Sequence, residues 1–262
     1  MCLALFALDA HPAYALVIAA NRDEHFARPA APAAWWKEGW VAGRDLEAGG
    51  TWLALTRAGR FALVTNVREP GLRDTSAPSR GALVTRAVAD ATPPAQSVAK
   101  IVAATSAYNG YNLVAGDPSS VAWGSNRRSG VRALGAGIHG ISNAALDAPW
   151  PKVVRSKETL DAWCREAERD IEALFAGLAD RTLATDAELP ATGVTLEWER
   201  RLSAPFIVAP DVGYGTRCST VILIGRDGRA RFVERTFDPA GNRIGDVDLR
   251  FALSDSPQTQ RA

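Results

Sequence analysis

Cysteine and histidine are scarce in this chain: 262 residues hold three of each. Cys2, Cys164 and Cys218 are odd in number and form no CxxC pair, and His11, His25 and His139 stand apart. Neither a disulfide framework nor a metal site with the usual ligand spacing is encoded, so no metal is expected. An excess of charge is missing as well. Lysine and arginine number 30 against 29 acidic residues, a formal net charge of +1, which argues against nucleic acid or an anionic membrane surface as partner. Long apolar runs are also lacking. The stretch 13–20 is far short of the ~20 residues needed to cross a bilayer, so no membrane span is expected. Asp9 and His11 interrupt the N-terminal apolar stretch, and no basic region precedes it, which is unlike a signal peptide. A reducing, cytoplasmic location is the expectation. What is present is ordinary globular composition, 47% hydrophobic and 23% charged, read as a single domain over 1–262.

Short apolar runs at 3–8 and 14–20, parted by Asp9-Ala10-His11-Pro12, predict a buried hairpin. Residues 25–50 are rich in Pro, Gly and Trp without a period and read as a long ordered loop. "TWLALTRAGRFALVTN" (51–66) predicts a second hairpin turning at Ala58-Gly59. Helices are predicted near 80–104, with Leu83, Val84, Ala87, Val88 and Ala91 on one face and Val98, Ile101 and Val102 on the next. Further strands fall within 111–143, and helices over 150–179 carry an apolar stripe of Val153, Val154, Leu160, Trp163 and Cys164. Residues 180–205 read as mostly irregular, and 214–237 as a closing hairpin turning at Asp227-Gly228. Strands, helices, strands, helices, strands in this order suit an α+β protein with stacked antiparallel sheets covered by helices.

Position 2 raises the chemical question. Methionine aminopeptidase removes Met1 ahead of a small residue, which would leave Cys2 with a thiol and a free α-amine. Their ordinary pKa values, about 8.5 and about 7.7–8.0, let a proton pass between them near neutrality, so one residue supplies nucleophile and base. Such a site needs a group to orient the amine, a cation to favour thiolate and donors for an oxyanion. "NRDE" (21–24) offers Arg22 and Asp23, "GISN" ends a predicted strand at Asn143, and "YGTRCST" places Arg217 at the start of another. Each has a plainer reading. Asn21 and Asp23 suit a capped turn, Asn143 a helix cap, and Arg217 an ion pair at a sheet edge. Cys164 and Cys218 read as core, and the three histidines as structural.

Taken together and in order, the initial Met-Cys, "AANRDE", "GGTWLALTRAGRFALVTN", "SRG", "YNGYNL", "GISNA…PWPK" and "YGTRCSTVILI" closely resemble the NRDE family, that of transport and Golgi organisation protein 2, from residue 1 to about 237. The resemblance implies a four-layer αββα fold like that of N-terminal-nucleophile (Ntn) hydrolases, in the cysteine branch with bile salt hydrolase and penicillin V acylase. Carried over by position, Cys2 matches the nucleophile, Arg22 and Asp23 the early pair, Asn143 the oxyanion donor and Arg217 the late arginine. In those hydrolases a short spacer parts the early pair. Here the two are adjacent, and adjacent strand residues face opposite sides.

Two functions follow as expectations. One is a Cys2 hydrolase of a small amide or acyl compound, which requires no cofactor. The other is a non-hydrolytic carrier of haem or an acyl-CoA or other lipid on the same scaffold, for which Trp35, Trp36, Trp40 and Trp52 would supply an aromatic wall and His25 or Cys2 a haem ligand. The same tryptophans also read as packing.

Overall fold

A computed structural model of the chain describes residues 2–166 and 170–254. The first apolar runs pair as β1 (Cys2–Leu8) and β2 (Tyr14–His25). β2 continues through Asn21-Arg22-Asp23-Glu24, so this stretch is a paired strand and not a capped turn. The expected loop over 25–50 contains two further strands, β3 (Ala30–Trp35) and β4 (Trp40–Asp45). Ala-Ala-Pro-Ala-Ala gives no apolar–polar alternation to read, and Pro32 is tolerated because β3 is an edge strand. The hairpin β5 (Leu53–Thr56) and β6 (Phe61–Asn66) follows, then helices α1 (Gly81–Ala89) and α2 (Pro94–Ala103). Ala91 lies beyond α1 and is exposed. Next come β7 (Tyr111–Asp117), β8 (Ser120–Ser125), β9 (Arg128–Leu134) and β10 (Gly137–Ile141), and then α3 (Pro151–Arg165) and α4 (Ile171–Leu178).

On α3 the inward stripe is Val153, Ser156, Leu160, Trp163 and Cys164, whereas Val154 is exposed. The irregular stretch that follows contains one short helix, α5 (Leu196–Arg201). The chain closes with β11 (Val208–Ala209), β12 (Tyr214–Gly225), β13 (Arg229–Phe237) and β14 (Arg243–Ala252). β14 extends the sheet beyond the expected closing hairpin. Its alternation is clear in hindsight, since Val247, Leu249 and Phe251 pack on the core while Asp246, Asp248 and Arg250 face out.

The strands form two antiparallel sheets. One has the order β10-β1-β2-β12-β13-β14, with β11 pairing to β12; the other runs β3 to β9 in sequence order. One apolar cluster (Phe6, Ile18, Leu55, Phe61, Val114 and Ile222 among its members) fills the space between the sheets. A second packs α3 and α4 on the first sheet, and a third packs α1 and α2 on the other. The layer order is therefore αββα, the four-layer Ntn-hydrolase-like arrangement. Alternation sorts the site residues by face. On β1, Ala4, Phe6 and Leu8 face the other sheet, and Leu3, Leu5 and Ala7 face the helices. Ile18 and Ala20 against Val17 and Ala19 do the same on β2.

Candidate active site

Cys2 is the first residue of β1 and lies opposite Arg22 of β2, which in turn lies opposite Cys218 of β12. Asp23 and Glu24 run past the end of β1, so no β1 residue pairs with them. This removes the conflict between adjacency and alternation. Arg22 reaches the cleft from the inter-sheet face, and Asp23 is open to it over the strand end. Cys2, Arg22, Asp23, Glu24, Trp52 and Asn66 line one cleft of about 280 Å³. The Arg22 guanidinium is buried and stacks 4.3 Å from the Trp52 ring centroid. The Asp23 carboxylate accepts a 2.7 Å hydrogen bond from Thr216 Oγ1. Burial pushes the Asp23 carboxyl up, and the charge of Lys152 opposes that shift. Burial likewise raises the Cys2 thiol, while the Asp23 backbone amide and Arg22 favour its thiolate.

Asn143 is buried beside this cleft and does not line it. Its amide donates to the Asn66 carbonyl at 2.9 Å, and its Oδ1 accepts from Ser142 Oγ, whose hydroxyl also donates to the Cys2 carbonyl at 2.8 Å. Asn143 thus braces the site from behind, and Asn66, at the end of β6, faces the cleft. Asn66 carries the same signal as Asn143, an asparagine closing an apolar strand, and went unselected in the sequence.

Arg217 departs from its expected place. It is the extra residue of a bulge in β12, between Thr216 opposite Asp23 and Cys218 opposite Arg22. The bulge turns its guanidinium to the His25 and Arg28 carbonyls at 2.9 and 2.8 Å and over the Phe26 ring, outside the cleft. Arg217 therefore fixes the turn after β2, and the cation beside Cys2 is Arg22.

Lys152 is a second residue that sequence reasoning passed over. Its amine is 1% exposed and makes no hydrogen bond among the described residues. Burial lowers its pKa to about 8, against the opposing charge of Asp23. It reads in the sequence as one more polar residue at a helix start, after Trp150 and Pro151.

A second lobe of about 370 Å³ adjoins the first, sharing Glu24, Arg28, Asn66 and Arg80 with it. Its far wall is apolar, formed by Pro70, Val194, Trp198, Leu202 and Tyr214. The aromatic wall proposed near 35–52 does not form. Trp35 packs on Phe251, Trp36 packs on Trp40, and only Trp52 reaches the cleft. Cys164 and Cys218 are buried core thiols. His11 stacks on Trp163, and His139 pairs with Asp147 at 3.0 Å, while His25 sits edge-on to Tyr214 at the rim of the second lobe. Among the described residues, no cluster of His, Cys, Asp or Glu is arranged to hold a metal, and no helix is long and apolar enough to cross a membrane.

Comparison with known proteins agrees with this architecture. A solved structure of the C2A mutant of conjugated bile acid hydrolase from Clostridium perfringens superposes with a TM-score of 0.50 at 10% identity, covering 98% of each chain; at that identity the likeness is one of fold. The transport and Golgi organization protein 2 homologs of Bos taurus and Homo sapiens are 35% and 33% identical to this chain, over 90% of it and 93% of each of them. The family profile described as Transport and Golgi organisation 2 matches residues 1–239, and the chain belongs to that family.

Proposed function

We propose that the chain is an Ntn-type hydrolase whose nucleophile is Cys2, acting on a small amide or acyl compound. The observation that carries this reading is the placement of Cys2 at the end of β1 on the floor of a cleft, with Arg22 in register beside it and Asp23 just past the strand end. A solved neighbour of the same fold, a conjugated bile acid hydrolase, was studied as its C2A mutant, which draws attention to the same position.

In the proposed reaction the α-amine of Cys2 takes the thiol proton as sulfur attacks the acyl carbonyl. Asp23 orients the resulting ammonium and Arg22 favours thiolate in the resting site. Asn66 donates to the oxyanion, and Asn143 holds the Asn66 backbone. Collapse breaks the bond to the leaving group, which departs with the proton from the ammonium and leaves a thioester on Cys2. A water then attacks the thioester, the amine takes its proton, and the free acid leaves with the thiol restored. The two lobes suit an acyl chain on the apolar wall and a polar leaving group on the charged side.

The carrier reading rests on the second lobe, whose apolar wall would hold an acyl thioester or haem as cargo, with His25 at its rim. One variant separates the two. Cys2→Ala removes the nucleophile, and turnover of N-acyl amides and thioesters should fall by at least about 10³-fold with Tm unchanged. A wild-type protein inert toward the panel, whose Cys2→Ala variant binds haem or acyl-CoA as the parent does, would decide for the carrier.

A further inference from the structure

Placing an ammonium in a protein interior costs several kcal/mol unless hydrogen bonds and a counter-charge offset it. Lys152 has the burial without the hydrogen bonds. It is the second residue of α3, held by Trp150 at the cap and Pro151 in the first turn. Beside it lies a buried ion pair, Arg68 to Glu199 at 2.5 Å. Glu199 is not its counter-ion, because that carboxylate is already engaged. One oxygen accepts from the Thr192 amide at 2.9 Å and from the Thr192 hydroxyl, and the other accepts from Arg68.

The carboxylate left for Lys152 is that of Asp23. By alternation Asp23 faces the helical layer, in a row with Asn21, which reaches the Leu178 and Pro205 carbonyls there. Lys152 is also the strongest positive charge acting on Asp23. The charged and titratable groups around it are Asp23 from β2, Cys2 from β1, Arg68 ahead of α1 and Glu199 from α5. Tyr214 from β12 is buried against the same Asp23 and Arg68.

We propose that Lys152 is a positioning residue of the Cys2 site: a buried ammonium, without hydrogen bonds of its own, that keeps the Asp23 carboxylate ionised and aligned to hold the α-amine of Cys2. The inference rests on Cys2 being the nucleophile. It explains why an amine stands where a methionine would pack at lower cost. Losing the charge leaves Asp23 in a desolvated place that favours its neutral acid, which cannot hold an ammonium. The thiol–amine pair then loses its zwitterionic form.

The test reads Cys2 directly, by alkylation with iodoacetamide, in which the thiolate displaces iodide. Protein whose mass shows Met1 removed is labelled across pH 5.5–9.5, and the Cys2 peptide is quantified. Lys152→Met should slow labelling at pH 7 about tenfold and move the midpoint of the profile up by about one pH unit. Lys152→Arg should stay near wild type. Asp23→Asn should slow labelling as Lys152→Met does, and the double variant no further, since the two act as one unit. Tm of Lys152→Met should equal or exceed that of the parent. A fast Cys2 whose profile ignores Lys152→Met, losses that multiply in the double variant, or a Lys152→Met chain that fails to fold would each overturn the proposal and leave the hydrolase reading standing. A wild-type Cys2 no more reactive than cysteine in a peptide would remove both.

Discussion

Asn66 and Asn143 divide a task that the sequence assigns to Asn143 alone. Asn66 faces the cleft, while Asn143 ties the ends of β6 and β10 through the Asn66 carbonyl and Ser142. Asn66→Ala should lower kcat by about 10²–10³-fold, the usual loss for one oxyanion donor, with KM and Tm little changed. Asn143→Ala should lower kcat and also destabilise the fold by about 1–3 kcal/mol, because it leaves buried partners unpaired. Steady-state kinetics and thermal melts on the two variants check both. Arg217→Ala should leave the Cys2 labelling rate within about twofold and lower Tm instead, as befits a guanidinium that ties two carbonyls of a turn. Cys2, Arg22 and Asp23 were legible because they lie at adjoining strand ends, where chain order and spatial order coincide. Lys152 was not. Nothing in Trp-Pro-Lys says that this amine turns inward, because its burial is decided by where α3 meets the first sheet.

Elements carry the next layer of explanation. The hairpins at 2–25, 51–66 and 214–237 could be read because alternation and Gly turns mark them, whereas β3 and β4 were hidden by small residues with no period. The bulge of β12 was equally hidden. A single extra residue sends Arg217 outward, and no local composition signals it. The connection from β10 to α3 is held by Asp147, whose backbone lies in the left-handed region. Its carboxylate binds Lys157 at 2.7 Å, His139 at 3.0 Å and the Gly140 amide at 2.9 Å. These bonds hold the Asp147 carboxyl well below the usual range, and the same pair raises His139. The Asp147 contribution is therefore complete above the ordinary aspartate pKa and is lost as pH falls through the depressed one. The His139 contribution fades as pH rises through its raised value. Asp147→Ala should lower Tm at pH 7 by about 5 °C, equivalent to about 2 kcal/mol in a domain of this size, and should flatten the acid side of the stability curve. Because the loop sets the start of α3, the variant should also slow Cys2 labelling. Melts from pH 3 to 8 and the labelling assay decide this, and a parent-like curve would remove the loop from the account.

The whole molecule depends on the two sheets keeping register across the cleft. Glu234 of β13 bridges them, accepting a 2.7 Å hydrogen bond from the Ala33 amide of β3. Burial raises its carboxyl to about 7. The sign follows directly. The unfolded chain ionises near the ordinary glutamate value while the fold holds the proton, so stability present at low pH is lost as pH rises from about 4.5 to about 7. At about 1.4 kcal/mol per unit the loss amounts to a few kcal/mol. Glu234→Gln keeps an oxygen for Ala33 and should remove this slope, making the variant the more stable protein at pH 7. Denaturant titrations at pH 5 and pH 7.5 compare them, and equal slopes would contradict the bridge. The account as a whole stands on a covalent event at one sulfur in this assembled cleft. Intact-protein mass spectrometry seconds after mixing with an activated acyl ester should show one acyl group added. Peptide mapping should place it on Cys2, with Cys164 and Cys218 unmodified and the Cys2→Ala variant unlabelled. An unshifted mass, or acyl groups on other residues in both proteins, would contradict it.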